Sequence, residues 1–183
     1  YFAKPVPAFG DDEARCCIVG LAPGMHGANA SGRPFTGDFA GILLYQTLHK
    51  YGFATKPESL SANDDLKLIN CRITNAVKCL PPANKPTGAE VNLCNSYLAV
   101  ELASLEPGSV VLALGTLSHN ACIKALGGRQ KDFAFGHLAE HSFAGLNILD
   151  SYHCSRYNTQ TRRLTAEMFD AVFERARYLL EQE

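Results

Sequence analysis

No apolar run in this chain approaches the roughly 20 residues that a helix needs to span a bilayer, and the opening YFAKPVPAFGDDEARCC lacks the basic head and apolar middle of a secretion signal. No membrane partner and a cytoplasmic location are expected. Charge of one sign is lacking too: 17 Lys and Arg stand against 18 Asp and Glu, a net charge of −1. That excludes a surface that coats itself with nucleic acid, but it allows local basic clusters. A disulfide framework is also missing. Seven cysteines, at 16, 17, 71, 79, 94, 122 and 154, are odd in number and scattered over 183 residues, so they read as reduced thiols, some of them available to a metal. What remains, with 46% hydrophobic and 19% charged residues, is one globular domain over residues 1–183 with a full core.

Residues 1–14 read as an extended arm, because Pro5, Pro7 and Gly10 keep a helix from starting. CCIVGLA then reads as a buried strand and FAGILLYQTLHKYG as a helix. LINCRITNAVKC alternates like a longer strand ending near Cys79. After the loop LPPANKPTG comes the helix AEVNLCNSYLAVELASLEPG, then the apolar strand SVVLALG and the short helix TLSHNACIKALGG. A stretch rich in His and Phe reads as irregular. LNILDSYH is the last strand and TAEMFDAVFERARYLLEQE the closing helix, capped by Thr165. Strands alternating with helices, each strand apolar enough to be covered on both faces, predict a three-layer α/β/α sandwich around a mostly parallel sheet of about four strands.

In such sheets ligands bind beyond the carboxyl ends of the strands, where three segments converge. The first, GLAPGMHGANASGRPFTGD (Gly20 to Asp38), fills a strand-to-helix turn with glycines and a single carboxylate. Its glycines let backbone amides approach a phosphate or a polar ring edge closely. It meets neither the dinucleotide fingerprint nor the P-loop pattern. A plain crossover has no need of His26, Asn29, Arg33, Phe35 and Asp38 together, so the loop reads as a ligand site, with Arg33 equally suited to tying it together. The second segment brings Asn75 to a strand end. The third, SYHCSRYNTQTRRLT, follows His153 with a polar and basic loop from Ser155 to Arg163 that suits phosphate contacts.

These three segments, with a second cysteine fifteen positions after Cys79, are similar to those of the uracil-DNA glycosylase superfamily, most closely its family 5, the bacterial and archaeal iron–sulfur glycosylases. The resemblance runs from about Tyr1 to the closing helix. It implies a monomeric DNA-repair enzyme that hydrolyses the N-glycosidic bond of uracil, and of other deaminated bases where the pocket admits them, in duplex DNA, leaving an abasic site. Such an enzyme flips the nucleotide out of the stack. Gly20, Ala22, His26, Phe35 and Asn75 would form the base pocket, with Phe35 stacking on the base and Asn75 reading its amide-like edge.

His153 would donate to the charge that gathers on the departing base. The best-known branch of the superfamily has a carboxylate where this chain has Ala22, which leaves Asp38 either to position or deprotonate water or to cap the following helix. Ser155, Arg156, Asn158, Thr159, Arg162 and Arg163 would contact DNA. Cys79 and Cys94 stand where the family places two ligands of a [4Fe–4S] cluster. The family carries the other two in a Cys-x-x-Cys upstream of the arm, a spacing this sequence does not contain. A non-catalytic or covalent binder of uracil-containing or abasic DNA is the competing class, but the basic insertion that distinguishes it is not found after Asp38.

Overall fold

The computed structural model describes residues 4–81, 83 and 85–182. Four strands form the parallel heart of the sheet: β2 (Cys16–Gly20), β3 (Cys71–Asn75), β4 (Val110–Leu114) and β6 (Leu146–Ser151). Two antiparallel edges, β1 (Phe9–Gly10) and β5 (Glu140–Phe143), extend it to six in the order β1-β3-β2-β4-β6-β5. The expected four strands are thus exceeded by β1, inside the predicted arm, and β5, inside the stretch read as irregular. Both edges are short, and a two-residue strand or a hairpin return through Ala144 and Gly145 leaves little periodicity to read. Residues 1–3 of the arm lie outside the described residues.

Helices cover both faces. Ile18, Leu112 and Leu149 pack with Leu44 and Leu48 of α2 (Phe39–Lys50) and with Phe169, Val172 and Phe173 of α6 (Ala166–Glu181). Their alternates Val19, Val111 and Ile148 pack with Leu98 and Leu102 of α3 (Gly88–Ala103) and Ile123 of α4 (Thr116–Ala125). Strands that bury both sets of side chains are the ones that read as unbroken apolar runs. Thr165 caps α6 as expected, and Thr87 caps α3 in a reciprocal capping box with Glu90. Two short helices, α1 (Ala28–Ser31) and α5 (Arg156–Gln160), occupy segments read as loops.

The topology places the site. The chain leaves β2 toward α2 on one face, whereas it leaves the neighbouring strands β3 and β4 toward α3 and α4 on the other. Connections that part to opposite faces open a crevice at the carboxyl end of the strands between them. Gly20 ends β2 at that point.

The loop after β2 is locked from behind by Arg33, which is buried and donates to Asp64 (2.7 Å), Ser59 (2.9 Å) and the Ala62 carbonyl (3.2 Å) while lying 4.1 Å from the centre of the Phe9 ring. One guanidinium therefore joins the arm, the opening loop and the connection before β3. Partial burial pushes the Asp64 carboxyl up, but N–H donors of Leu60, Leu66 and Ser61 together with Arg33 outweigh it and hold the group at about 2. Because the folded value lies below the ordinary 3.8, this stabilisation is complete above that pH and is lost as the pH falls toward 2. Thermal unfolding followed against pH should show that acid limb, and Asp64→Asn should flatten it. Arg33→Ala should cost about 3 kcal/mol at neutral pH, since it strands a partly buried carboxylate.

Candidate active site

Gly20 and Asn75 are register partners at the ends of β2 and β3, and the space above them is filled from the loop. A Cβ on Gly20 would stand 2.5 Å from Asn75 Oδ1 and 2.6 Å from the Phe35 ring, so only glycine lets these two groups meet. Phe35 is itself held in the left-handed region at φ 56°, an unusual conformation for a bulky side chain. The turn is secured on all sides. Tyr45 Oη and Thr36 Oγ1 donate to the Pro34 carbonyl, Ser31 Oγ donates to that of Thr36, and the Phe35 carbonyl lies where a Cβ on Gly41 would be.

From the other side His153 arrives two residues beyond the end of β6. Its ring centre lies 5.9 Å from that of Phe35 at an interplanar angle of 30°. Its Cβ sits 3.6 Å from where a side chain on Gly115, just past β4, would begin. The crevice thus gathers residues from the ends of all four parallel strands. Two buried atoms there, Asn75 Oδ1 and His153 Nδ1, have no hydrogen-bond partner among the described residues. Buried polar atoms in native proteins are paired with few exceptions, and an exception inside a crevice is open to pairing by a ligand.

Asp38 combines the two roles the sequence left open to it. It is the N-cap of α2, with Oδ1 accepting from the Gly41 amide at 3.0 Å. Its Oδ2 faces the glycine shelf, within 2.5 Å of where a Cβ on Gly27 would be and 3.9 Å of one on Gly24. Burial raises the Asp38 pKa above its ordinary value against the pull of the Gly41 amide and its own. Burial alone lowers that of His153 to about 4, so the imidazole is neutral at physiological pH. A groove of about 530 Å³ opens beside them, lined by Phe35, Asp38, Phe39, Ser59, Leu60 and Arg156 among others. Asn75 is buried and His153 half-buried, and neither is part of this lining.

A family model described as the uracil DNA glycosylase superfamily matches residues 7–177. The chain belongs to this superfamily. It is 48% identical over 180 residues to the type-5 uracil-DNA glycosylase of Thermus thermophilus, covering 98% of this chain and 82% of that protein. It is 43% identical over 176 residues to that of Pyrobaculum aerophilum (96% and 76%) and 40% identical over 183 residues to that of Mycobacterium leprae (98% and 80%).

The rim expected to meet DNA is not the continuous loop predicted but the one-turn helix α5 and its exit. Ser155 caps it by accepting from Asn158 N, Asn158 Nδ2 donates to the His153 carbonyl at 2.9 Å, and Thr159 Oγ1 bonds back to Ser155 and Arg156. Those three polar side chains are engaged in shaping the turn. Arg156, Arg162 and Arg163 are exposed; Arg156 lies over Phe39 and Arg163 over Tyr152, each at 4.8 Å. Tyr157, an aromatic 73% exposed on α5, was not singled out from the sequence, although an aromatic inside a polar loop is the available signal. Ala22 is half-buried and His26 exposed on the opening loop.

Cys79 is exposed four residues past β3 and Cys94 is half-buried in α3, whereas the other five cysteines are in the core. Among the described residues the only group with metal-ligand spacing is His119, His141 and Asp150. There both nitrogens of His119 face oxygen atoms, Asp150 Oδ1 at 2.7 Å and the Phe133 carbonyl at 2.8 Å, an arrangement that favours the charged ring. Burial lowers the His119 pKa, but Asp150 and the carbonyl outweigh it and raise the value overall.

The crowding at Gly20 makes a direct prediction. Gly20→Ala should push Phe35 and Asn75 apart and abolish base excision, while the fold, measured by thermal unfolding, survives at a reduced midpoint.

Proposed function

We propose that this chain is a DNA-repair glycosylase that hydrolyses the N-glycosidic bond of uracil in duplex DNA, with Asn75, Phe35, His153 and Asp38 as its working groups. The observation that carries the reading is the pair of buried, unpartnered atoms on Asn75 and His153, set around an aromatic ring whose backbone is held in a strained conformation. A flipped uracil stacks on Phe35. Its amide-like edge offers a donor to Asn75 Oδ1 and an acceptor to the side-chain NH₂. His26 and Ala22 line the approach.

As the bond from C1′ to N1 breaks, its electron pair leaves on the base. A neutral imidazole suffices to stabilise that anion, since a hydrogen bond aimed at developing charge requires no proton transfer. Water adds to C1′ and its proton passes to Asp38, whose desolvated carboxylate is a better base than an exposed one. The same negative charge steadies the positive sugar. Arg156, Arg162 and Arg163 contact phosphates at the rim, and Tyr157 enters the gap that the flipped base leaves. A narrow basic rim also reconciles DNA binding with a net charge of −1.

The resemblance to family 5 implies a [4Fe–4S] cluster, and the thiols present fit half of one. Cys79 and Cys94 are the two cysteines not buried in the core, and the arm passes beside Cys79, where Val6 N donates to the Lys78 carbonyl. Four thiolates are the usual set, so two would come from outside residues 1–183. The cluster would pin the arm to the start of α3, and none of the steps above draws on it.

Incubation with uracil-containing duplex should yield alkali-labile abasic sites; retarded but intact DNA would favour the binding class instead. Asp38→Asn should lower single-turnover excision far more than duplex affinity, because a group acting on the transition state need not aid ground-state binding. Asn75→Ala should slow excision and loosen the choice of base together. A longer chain that carries an upstream Cys-x-x-Cys should contain iron and sulfide, and Cys79→Ser or Cys94→Ser should lose both along with solubility.

A further inference from the structure

His153 lies beyond the last rung of the sheet. The Leu114 and Ser151 pair closes the parallel register of β4 and β6, and Gly115 N donates to the Ser151 carbonyl at 2.8 Å. From Tyr152 onward no strand among the described residues supplies partners, yet the backbone here carries the imidazole toward the crevice. Three side chains take over. Ser151 Oγ donates to the Tyr152 carbonyl at 2.8 Å, Asn158 Nδ2 donates to the His153 carbonyl at 2.9 Å, and His137 Nδ1 accepts the Tyr152 N–H at 3.1 Å.

His137 is the one of these three that comes from a distant segment, and it is fixed at several points. Its Nε2 donates to the Met168 carbonyl in the first turn of α6 at 3.1 Å, which leaves Nδ1 bare to accept: the ring is a neutral imidazole with a defined tautomer. It stacks on the Tyr152 ring at 5.0 Å and 30°, and the Arg163 guanidinium lies over that same ring.

The segment that presents it is strained and stitched down. Leu138 adopts φ 66°, its N–H donates to the Asp150 carbonyl at 2.9 Å, and Asp150 N donates back to the Ala139 carbonyl at 2.9 Å. A left-handed leucine persists only where its surroundings over-determine it. Here the turn sets the neighbouring imidazole beside the exit of β6.

We propose that His137 is a positioning residue for base excision: it stands in for a missing sheet partner at Tyr152 and so fixes where the next residue, His153, places its ring. The inference rests on the role given to His153 above. Burial lowers the His137 pKa against the pull of the Met168 carbonyl, in keeping with a ring that accepts through Nδ1. Tyr152 in turn links this anchor to Arg163 at the DNA-facing rim.

The test is single-turnover excision of uracil from a duplex by the full chain, with duplex affinity and thermal midpoint measured alongside. His137→Ala should slow excision about tenfold or more with affinity nearly unchanged, since a small misplacement of a reacting group costs that much. His137→Asn, whose Oδ1 can accept the Tyr152 N–H, should recover most of the rate. In a His153→Ala background, His137→Ala should cost nothing further, because the residue acts through the missing ring. Excision by His137→Ala at the parental rate would overturn the inference, as would an equal loss with and without His153 or a failure of His137→Asn to rescue a folded protein. If His153→Ala alone excised at the parental rate, the role of His153 would fall instead, and that outcome is read independently.

Discussion

The backbone pairing of β2 with β3 runs out after Leu21 and Val77, and that of β4 with β6 after Gly115 and Ser151, and backbone groups released beyond those points must bind something else or stay in water. The loop after β2 answers with a dense local network, in which Tyr45, Thr36 and Ser31 bond the carbonyls around a left-handed Phe35. The exit of β6 answers with Ser151, Asn158 and His137. In both places the backbone is fixed by side chains, so the groups it carries, Phe35 and His153, are aimed as firmly as if they stood within a strand. Within the crevice, among the described residues, Asn75 Oδ1 and His153 Nδ1 are left without a partner. What is unsatisfied there is what the substrate can satisfy.

The same crevice separates its two ionisable groups by environment. Both are desolvated, and desolvation disfavours charge in each case, raising the Asp38 carboxyl and lowering the His153 imidazole. The histidine is therefore neutral throughout the physiological range, donating through the one N–H that a neutral imidazole keeps. Asp38 stays tied to the amide of Gly41 and the start of α2, where the helix terminus favours a negative charge. His119 is the counterexample within the same chain. It is fully buried, but a carboxylate at one nitrogen and a carbonyl at the other outweigh that burial and raise its pKa. It joins α4 and β6 to the segment that leads to His137, and its work is structural.

Much of this was legible along the chain. Strands buried on both faces are continuous apolar runs, so β2, β4 and β6 and the helices between them follow from periodicity. The three segments that carry chemistry stand out by composition, because glycines, amides and guanidiniums crowd where a crossover needs none of them. Asp38, Phe35, Asn75 and His153 were all named from those segments. The edges were not legible: β1 and β5 are stabilised by pairing with a neighbour, not by any pattern of their own. Nor was α5, since Thr159 and Thr161 bond backward to the carbonyls of a single turn, a choice polar residues make in loops as readily as in helices.

The sequence by itself determined the layers of the fold, the order of its segments and the residue types available at the strand ends, because periodicity and composition are properties of neighbours along the chain. Tertiary structure decided which of those residues work together. That Gly20 must lack a side chain for Asn75 and Phe35 to meet, and that His137 reaches across to hold Tyr152, are contacts between residues well separated in the chain. No local pattern encodes them. They arise when the ladder ends and the released backbone finds the nearest side chain able to bind it.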